Sequence, residues 1–290
     1  MDKKRLIKGS VLKISIAVPS FNYREYIDEC LMSIQQQAYS NFEVLIADGG
    51  SKDGTLEIIQ DYCLKDSRFR LVSTDDNGQA DAIQKAFEVA TGDIFCFLNA
   101  DDMYLCNDVF VSVIRAFENH KKISLVSFSG YYLDDKGSWI KPINYRYHPL
   151  DGFHLMKYRT AVLQPATFWK KEVYESIDWP RSFHFVFDVV FFYAAYQKFS
   201  WLELTKPVAG YRLHGNNKSM TVRAGRIMEL AIFEQIKFGQ HSFRAYYLKL
   251  IGHLIKVLEK AGSVGTKLSK IIYMIVNALA FISCYRLPSI

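Results

Sequence analysis

The chain is 290 residues long; half of its residues are hydrophobic and 23% are charged. These fractions are typical of folded globular proteins, so they exclude an intrinsically disordered chain, a collagen-like repeat and a disulfide-stabilised miniprotein. The formal net charge of +6 is unevenly placed, because residues 237–290 contain eight Lys or Arg residues and one acid. A basic C-terminal segment indicates an anionic partner, whereas the nearly neutral remainder argues against a nucleic-acid-binding protein.

The cysteines and the amino-terminal residues indicate a reducing compartment. The five cysteines are odd in number, and no two of them have C-x-x-C spacing. The sequence therefore predicts neither a disulfide framework nor a structural zinc site. No apolar run of signal-peptide length precedes Pro19, so we expect a cytoplasmic protein.

The first hundred residues alternate short apolar runs with segments of helical periodicity. The predicted strands cover residues 13–18, 42–48, 69–74 and 93–99, and the predicted helices cover residues 25–37, 54–63 and 79–90. Asp53 is the expected N-cap of the second helix. Strand–helix alternation with short connections predicts a parallel α/β sheet that helices cover on both faces.

After residue 100 the pattern changes. The predicted elements are a helix over 107–120, two strands around a D-D-K-G turn within 124–142, an irregular aromatic-rich stretch over 143–168, a helix over 185–197, extended structure over 201–214, and helices from about residue 220 to the end. The helix over 185–197 carries one acid, Asp188. An isolated acid on an apolar helix is costly to bury unless it has a partner, so Asp188 is a candidate functional residue.

Polar residues follow each of the four predicted strands of the first half. They are Pro19-Ser20-Phe21-Asn22, Asp48-Gly49-Gly50-Ser51, Asp75-Asp76-Asn77-Gly78 and Asn99-Ala100-Asp101-Asp102. Ligands of open α/β sheets bind beyond the carboxyl ends of the strands. Hard cations such as Mg²⁺ and Mn²⁺ relieve the repulsion of clustered carboxylates and bridge to phosphates. Because neither G-x-x-x-x-G-K-[ST] nor G-x-G-x-x-G follows the first strand, we expect acids and a metal to hold a nucleotide here.

Seven segments, in order, resemble the family 2 glycosyltransferases. VPSFNYREYIDECLMSI, LIADGGSKDGT, DNGQADAIQKAF and GDIFCFLNADD are similar to the nucleotide-sugar half of that family, and QPATFWKKEVY, FHFVFDVVFF and YRLHGNNKS to its acceptor half. The resemblance covers about residues 13–220. It implies the GT-A fold, a mostly parallel central sheet flanked by helices, in a catalytic domain over 1–219. The implied halves are 13–102 for the nucleotide sugar and 103–219 for the acceptor, with a basic helical region over 220–290.

The resemblance also implies residue roles. Phe21 stands where the family stacks an aromatic ring on the base, and Asp48 where it hydrogen-bonds the base. Asp101 is the expected ligand of Mn²⁺ or Mg²⁺, and Asp188 the expected catalytic base. Further residues expected to contact the nucleotide sugar are Pro19, Asn22, Asp76, Gly78, Gln79, Asp81, Asn99, Ala100 and Arg212; Asp102 and His214 are weaker candidates for the metal, and Gln164 and Trp169 for the acceptor.

One departure from the family pattern concerns Asn99, which stands where the family often has Asp. An amide contributes no charge, so the expected metal site rests more heavily on Asp101. The implied reaction is an inverting transfer: a metal stabilises the nucleoside diphosphate leaving group, and one carboxylate takes the proton of the acceptor hydroxyl. The favoured donor is a UDP-sugar. The favoured acceptor is a saccharide or lipid-linked saccharide in surface polysaccharide synthesis.

Two other functions and several structural roles stay open. A nucleotidyltransferase uses a similar sheet but normally has a basic, glycine-rich first loop, and PSFNYRE carries only Arg24. A non-catalytic scaffold that binds a nucleotide sugar is compatible with Asn99. The structural alternatives are helix capping by Gln79, Asp81, Asp101 or Asp102, a core role for Phe21, pairing of Asp188 with Arg181 or Arg212, a packed His214, and a packed strand for Gln164 and Trp169.

The C-terminal segment contains an uncharged run over residues 271–285. A membrane-spanning helix needs about 20 residues, and this run has 15. Lys267, Lys270 and Arg286 flank it. We therefore expect an amphipathic segment at an anionic membrane interface, on the inner face of the cytoplasmic membrane. Packing on the catalytic domain or on a second protomer, in a homodimer, is the alternative.

Overall fold

The computed structural model describes residues 12–143, 163–215, 217, 223–238 and 243–282. Strands and helices alternate as the hydrophobic periodicity predicts. The strands are β1 (Ile14–Ser20), β2 (Phe42–Asp48), β3 (Phe69–Ser73), β4 (Ile94–Phe97), β5 (Met103–Tyr104), β6 (Leu125–Leu133), β7 (Trp139–Ile143), β8 (Thr167–Lys170) and β9 (Trp201–Arg212). The helices are α1 (Ile27–Gln35), α2 (Thr55–Lys65), α3 (Gln79–Glu88), α4 (Val109–Asn119), α5 (Lys171–Glu175), α6 (Phe187–Lys198), α7 (Arg223–Phe238), α8 (Phe243–Lys260) and α9 (Gly262–Ile282).

The first four strands form the parallel part of one sheet. The described strand order is β3-β2-β1-β4-β8-β6-β9-β5, with β7 paired to β6. Every residue of β1 and β2 is buried, as expected for central parallel strands covered on both faces. Their register runs from Ile14 opposite Phe42 to Ser20 opposite Asp48. The two strands therefore end at the same level, which brings the residues that follow them together.

The later strands make the sheet mixed and return the chain to the same edge. β8 is antiparallel to β4 and β6, whereas β9 is parallel to β6 and antiparallel to β5. β5 pairs Met103 with Gly210, just after the fourth strand. This pairing brings the end of β9, with Arg212, to the loop that follows β4.

An aromatic cluster packs in the sheet-containing part of the molecule. The rings of Phe87 and Phe95 are stacked with 4.8 Å between centroids, and Trp179 meets Phe87 edge-on at 5.8 Å. The Trp179 indole N–H donates to the carbonyl of Ala80 at 2.7 Å. Edge-on and offset aromatic pairs are favourable arrangements, so the cluster stabilises the contact of α3 with β4.

The chain divides into two compact units. The first contains the described residues of 1–147, 162–182 and 194–213, and the second those of 148–161, 183–193 and 214–290. Within the second unit α7 packs on α8 and α8 on α9. A Cβ atom on Gly252 would lie 2.7 Å from the Met228 sulfur, so a glycine there allows α7 and α8 to approach closely. In the part of the chain described here, none of the helices has the length and apolar character needed to cross a membrane.

Most predicted elements are confirmed, with shifts of a few residues at their ends. The prediction omitted β5, β8 and α5, which are too short to show a periodic pattern. The N-cap residue of α2 is Gly54, with a left-handed φ of 98°, and not Asp53. The Asp53 carboxylate nevertheless accepts the Thr55 N–H at 3.1 Å. Residues 144–162 of the predicted irregular stretch lie outside the described residues, as do residues 283–290.

Candidate functional site

Hydrogen bonds join the loops that follow β1 and β2. The Asn22 N–H donates to the Ser51 hydroxyl at 2.7 Å, and the Lys52 N–H donates to the Asn22 side-chain oxygen at 3.0 Å. The Gly49 N–H donates to the Ser20 carbonyl at 2.8 Å. Asn22 has a φ of 56°, a left-handed conformation that asparagine tolerates better than most residues. Asn22 therefore holds the two loops together, and its contact with a nucleotide stays a prediction.

Asp48 lies fully buried beneath the second loop. One carboxylate oxygen accepts the N–H groups of Gly50 and Ser51 at 3.0 and 2.7 Å, and the other accepts the Ser51 hydroxyl at 2.6 Å. A buried carboxylate that accepts three hydrogen bonds fixes the conformation of the loop that supplies them. The expected direct contact of Asp48 with a base does not agree with this geometry, because the side chain has no exposed surface.

Phe21 and Asp76 meet above Gly49. The Phe21 side chain is 56% exposed, which disagrees with a core role. A Cβ atom on Gly49 would lie 3.0 Å from the Asp76 carboxylate and 3.2 Å from the Phe21 ring, so a glycine is needed between them. Burial raises the pKa of half-buried Asp76, and the charges of Asp81 and Asp48 act in the same direction. The first three strand ends thus present an exposed aromatic ring beside a carboxylate. The sequence reading missed Gly49, although two consecutive glycines after a strand signal such a close approach.

Asn99 is the centre of a chain of side-chain amides. Its oxygen accepts Gln79 Nε2 at 2.6 Å, and its Nδ2 donates to the Gln164 oxygen at 3.2 Å. Gln164 in turn donates to the Phe97 carbonyl at 2.6 Å and is buried. The Asn99 Nδ2 also lies 3.3 Å from a carboxylate oxygen of Asp102. A carboxylate cannot donate these bonds, which explains why an amide fits at position 99.

The two acceptor candidates are corrected by the structure. Gln164 is buried, and its side-chain amide is hydrogen-bonded to the Phe97 carbonyl and to the Asn99 side chain, so it fixes the position of Asn99. Trp169 is fully buried in β8, with ring centroids 6.0 Å from Phe87 and 6.2 Å from Phe97. The packed-strand alternative is therefore right for Trp169, whereas Gln164 lies in a short 3-10 helix just before β8; neither has the surface that an acceptor would need.

Four further candidates shape the loops. Pro19 lies in buried β1 opposite Ala47, and Ala100 is fully buried, so both contribute backbone rather than side chain. Gly78 has a φ of 110°, a conformation that favours glycine, and its N–H donates to Asp76 at 2.8 Å. Asp81, in the first turn of α3, accepts the Asn77 N–H at 2.9 Å, although the N-cap residue of this helix is Gly78.

Arg212 is buried against the Asp101–Asp102 pair. Its Nε donates to the Asp101 carbonyl at 2.9 Å, and its backbone N–H to the Asp102 carboxylate at 3.0 Å. The guanidinium also donates to the Glu29 carboxylate and, at 3.0 Å, to the Asp135 carbonyl. The expectation that Arg212 contacts the nucleotide sugar is corrected, because these bonds are directed at the protein. Glu29 and Asp135 were not singled out from sequence, because nothing in the segments that contain them indicates a contact with Arg212.

The Asp101–Asp102 pair has the electrostatics of a cation site. Burial and the neighbouring charge of Asp101 raise the pKa of Asp102 well above its usual range, and Tyr23 close by also has a raised pKa for the same two reasons. The Asp102 oxygens accept from the Arg212 N–H and the Asn99 Nδ2, whereas the Asp101 backbone carbonyl accepts from the Arg212 Nε. A cation there would relieve the repulsion between the two carboxylates, so the pair fits one. Among the described residues no three His, Cys, Asp or Glu side chains form a ligand cluster.

Asp188 and His214 belong to the second unit. Asp188 lies in the first turn of α6 and is half-buried; burial raises its pKa, whereas the Arg226 guanidinium lowers it. The sequence alternatives named Arg181 and Arg212, but the cation that acts on Asp188 within its unit is Arg226. The half-buried His214 donates its N–H to the Asn217 side chain at 2.6 Å, so it begins a turn, and a role for its imidazole stays a prediction.

Glu229 fixes the segment that leads into α6. Its carboxylate accepts the N–H groups of His184, Phe185 and Val186 at 2.7, 2.8 and 3.2 Å. These N–H groups precede the helix that carries Asp188, and a carboxylate is favourable near a helix start. Glu229 was missed because it lies more than 40 residues along the chain, in α7, with no local signal.

The match to known proteins agrees with this geometry. A family model described as "Glycosyl transferase family 2" matches residues 15–201. TuaG of Bacillus subtilis (strain 168), whose name describes a teichuronic acid biosynthesis glycosyltransferase, is 38% identical over 92 residues, 31% of this chain and 36% of TuaG. An uncharacterised glycosyltransferase of Haemophilus influenzae is 36% identical over 132 residues, 44% of this chain and 51% of that protein. The matched stretch thus spans about a third to a half of the length of these curated relatives.

Solved structures show the fold. TarS 1–349 of S. aureus in complex with UDP-GlcNAc has a TM-score of 0.60 at 16% identity, over 93% of this chain and 89% of that one. The mannosyltransferase PcManGT of Pyrobaculum calidifontis, in complex with GDP-Man and Mn²⁺, has a TM-score of 0.60 at 17% identity, over 96% and 91%. The expected GT-A fold is therefore confirmed. With more than half of its residues matched by the family model, this chain belongs to glycosyl transferase family 2.

Proposed function

We propose that the protein transfers a sugar from a nucleotide-diphosphate donor, a UDP-sugar, to a saccharide acceptor with inversion. The observation that carries the proposal is the meeting of Phe21, Gly49 and Asp76 at the strand ends of a family 2 glycosyltransferase sheet, the edge at which Asp101 follows β4. Such an edge is where open α/β sheets bind nucleotides.

The donor site is built on the first three strand ends. The exposed Phe21 ring offers a surface on which a base stacks, and the Asp76 carboxylate accepts a hydrogen bond from the base or the ribose. The hydrogen-bonded loops of β1 and β2 hold Phe21 in place. The structural neighbours include a UDP-GlcNAc complex and a GDP-Man complex, so they do not distinguish the two nucleotides. The choice of UDP rests on the resemblance of the sequence to family 2 glycosyltransferases.

Asp101 is the residue that would hold a divalent cation, with Asp102 and Arg212 fixing its backbone and His214 as a further candidate. When bound, the cation would neutralise the charge that develops on the diphosphate leaving group. Mn²⁺ in neighbouring structures supports this choice of cofactor, and Mg²⁺ has the same preference for oxygen ligands.

Asp188 takes the proton of the attacking acceptor hydroxyl in this proposal. Burial raises the pKa of Asp188 and the Arg226 guanidinium lowers it, so two opposing effects act on the proposed base. Glu229 fixes the backbone that enters α6 and so orients the base. One base and no covalent intermediate give inversion at the anomeric carbon.

The proposed acceptor is a saccharide or lipid-linked saccharide of a surface polysaccharide, met at the cytoplasmic face of a membrane. The name of TuaG supports the polysaccharide, and the helices of the second unit support the membrane face. Residues 13–102 are proposed as the donor half, residues 103–219 as the acceptor half, and residues 220–290, which contain α7 to α9, as an accessory region.

A thermal-shift screen of UDP-, GDP- and dTDP-sugars, with and without Mn²⁺, tests the proposal. The correct donor should stabilise the protein by about 2.7 kcal/mol at a hundredfold excess over its Kd. Asp101→Asn should abolish the metal-dependent part of the shift, whereas Asp61→Asn on exposed α2 should not. Asp188→Asn should keep donor binding and lose transfer. Absence of a shift with every donor contradicts the proposed function.

A further inference from the structure

Helix α8 exposes a row of apolar side chains to solvent. Tyr246, Leu250, Leu254 and Val257 are between 46% and 68% exposed, and their spacing of four, four and three residues places them on one side of the helix. We name these four residues the outward stripe. The other side of α8 is buried within the second unit, including Leu248, Ile251 and Ile255. A helix that is apolar on its buried side and again on its solvent side has a second surface to cover.

Lysines lie next to the outward stripe. Lys249 and Lys256 each precede a stripe residue by one position, and Lys260 lies four residues after Lys256, so the three share an adjacent side of the helix. Lys256 and Lys260 are exposed and Lys249 is half-exposed. The one acid within residues 243–282, Glu259, is half-buried and paired with Arg223 at 3.4 Å. The outer surface of α8 therefore combines apolar side chains with positive charge.

Helix α9 repeats the same combination. Val264, Leu268 and Ile271 are between 45% and 77% exposed at spacings of four and three residues. Lys267 and Lys270 are exposed beside them. Two consecutive helices thus present apolar rows flanked by lysines, which is the composition of helices that lie in the plane of a membrane interface.

We propose that α8 and α9 bind flat on an anionic lipid bilayer. The outward stripe would enter the boundary between headgroups and acyl chains, and Lys249, Lys256 and Lys260 would contact anionic headgroups. Tyrosine, present at Tyr246 and again at Tyr247, is a side chain favoured at this depth. A second copy of the chain is the poorer partner, because face-to-face pairing of α8 would oppose like charges. This inference rests on the proposed function in one respect: a lipid-linked acceptor would explain why the protein binds a membrane.

Vesicle co-sedimentation of the full chain tests the docking surface. With vesicles of phosphatidylglycerol and phosphatidylcholine the protein should sediment, and with phosphatidylcholine alone it should stay largely in the supernatant. High salt should weaken binding to the anionic vesicles. Equal binding to both vesicle types, or to neither, would overturn the proposal. Because the assay needs neither donor nor turnover, its result is independent of the donor-binding screen.

Matched variants locate the surface. L250D/V257D should abolish sedimentation, whereas Leu64→Asp, at a strongly exposed leucine of α2, should not change it. K249E/K256E should weaken binding at least roughly thirtyfold, and K121E/K122E should not. Circular dichroism checks that each variant is folded. If L250D/V257D is folded and still sediments with the vesicles, the outward stripe is not the docking surface. If the unchanged protein is a dimer that does not bind vesicles, and L250D/V257D is a monomer, the partner of the stripe is a second copy of the chain.

Discussion

Arg212 and Asp101 come from opposite halves of the catalytic sheet, and the Arg212 Nε donates to the Asp101 carbonyl at 2.9 Å. The same side chain reaches Glu29, and the Arg212 backbone N–H reaches the carboxylate of Asp102. Arg212 thus holds the acidic loop in a fixed conformation, through bonds to the carbonyl of Asp101 and the carboxylate of Asp102.

Replacing this cation should destabilise the protein. Arg212→Met removes a buried charge whose acidic neighbours stay in place, and such losses cost roughly 3–5 kcal/mol. Urea unfolding measures the change in free energy of unfolding. Arg70→Met is the control, because Arg70 is half-exposed and 3.8 Å from Glu43, a pair expected to contribute under about 1 kcal/mol. Equal losses in the free energy of unfolding for Arg212→Met and Arg70→Met would show that the buried contacts of Arg212 contribute no extra stability.

Removing the exposed ring should weaken donor binding without unfolding the protein. Phe21→Ala should raise the donor Kd roughly five- to 150-fold, the range expected for one base–aromatic stack, and Phe21→Tyr should keep it. Calorimetric titration with the donor measures the effect. Trp139→Ala, at another exposed aromatic residue on β7, is the matched control. An unchanged Kd for Phe21→Ala would exclude stacking.

Asn99→Asp should destabilise the metal-free protein. The change removes both donations of Nδ2 and places a third carboxylate beside Asp102, at a cost of about 1–3 kcal/mol. Since a raised carboxyl pKa penalises the ionised form, this cost should be present at neutral pH and shrink as the pH falls through the raised pKa. Urea unfolding at two pH values measures it, with exposed Asn77→Asp as the control. A cost that grows on acidification contradicts the explanation.

The pH dependence of transfer should report Asp188. A base works only when ionised, so activity should be lost as the pH falls through the raised pKa of Asp188, above the usual aspartate value of about 3.9. Arg226→Gln removes the cation that lowers this pKa and should move the acid limb of kcat/KM to higher pH. Arg226→Lys should leave the limb near its original position. If the acid limb of kcat/KM lies at the same pH in the unchanged protein, Arg226→Gln and Arg226→Lys, Asp188 is not the general base.

Glu229 should act as a positioning residue for that base. Glu229→Gln replaces one accepting oxygen with a donor and should loosen the segment that enters α6. We expect kcat to fall at least tenfold while the donor KM is unchanged, because Glu229 does not belong to the donor site. Glu175→Gln, on exposed α5, is the control. Parallel losses of kcat and donor affinity would indicate a general structural role instead.

The sequence predicted the fold and the meeting of the polar loops that follow β1 and β2, because both depend on local patterns. Buried strands that end in polar residues are visible in the chain, and parallel strands must bring those ends to one edge. Asp48, Trp169 and Arg212 were misjudged, because their environments depend on contacts that no pattern records. The Arg212–Glu29 bond joins residues 183 positions apart, and the burial of Trp169 depends on rings from α3 and β4. From the sequence, Asn99 was only a residue without the charge of the Asp that the family often has at this position. The structure shows that its amide donates to Gln164 and Asp102, which an ionised carboxylate could not do.

The hydrogen bonds between the loops that follow β1 and β2 have a thermodynamic consequence. Because Asn22, Ser51 and Lys52 already bond one another, a nucleotide that arrives on this edge need not order those loops itself. Little conformational entropy is then spent on binding, and more of the contact energy is left to discriminate one base from another. Base selectivity in the proposed donor site would then depend in part on hydrogen bonds between loops that form before the nucleotide binds.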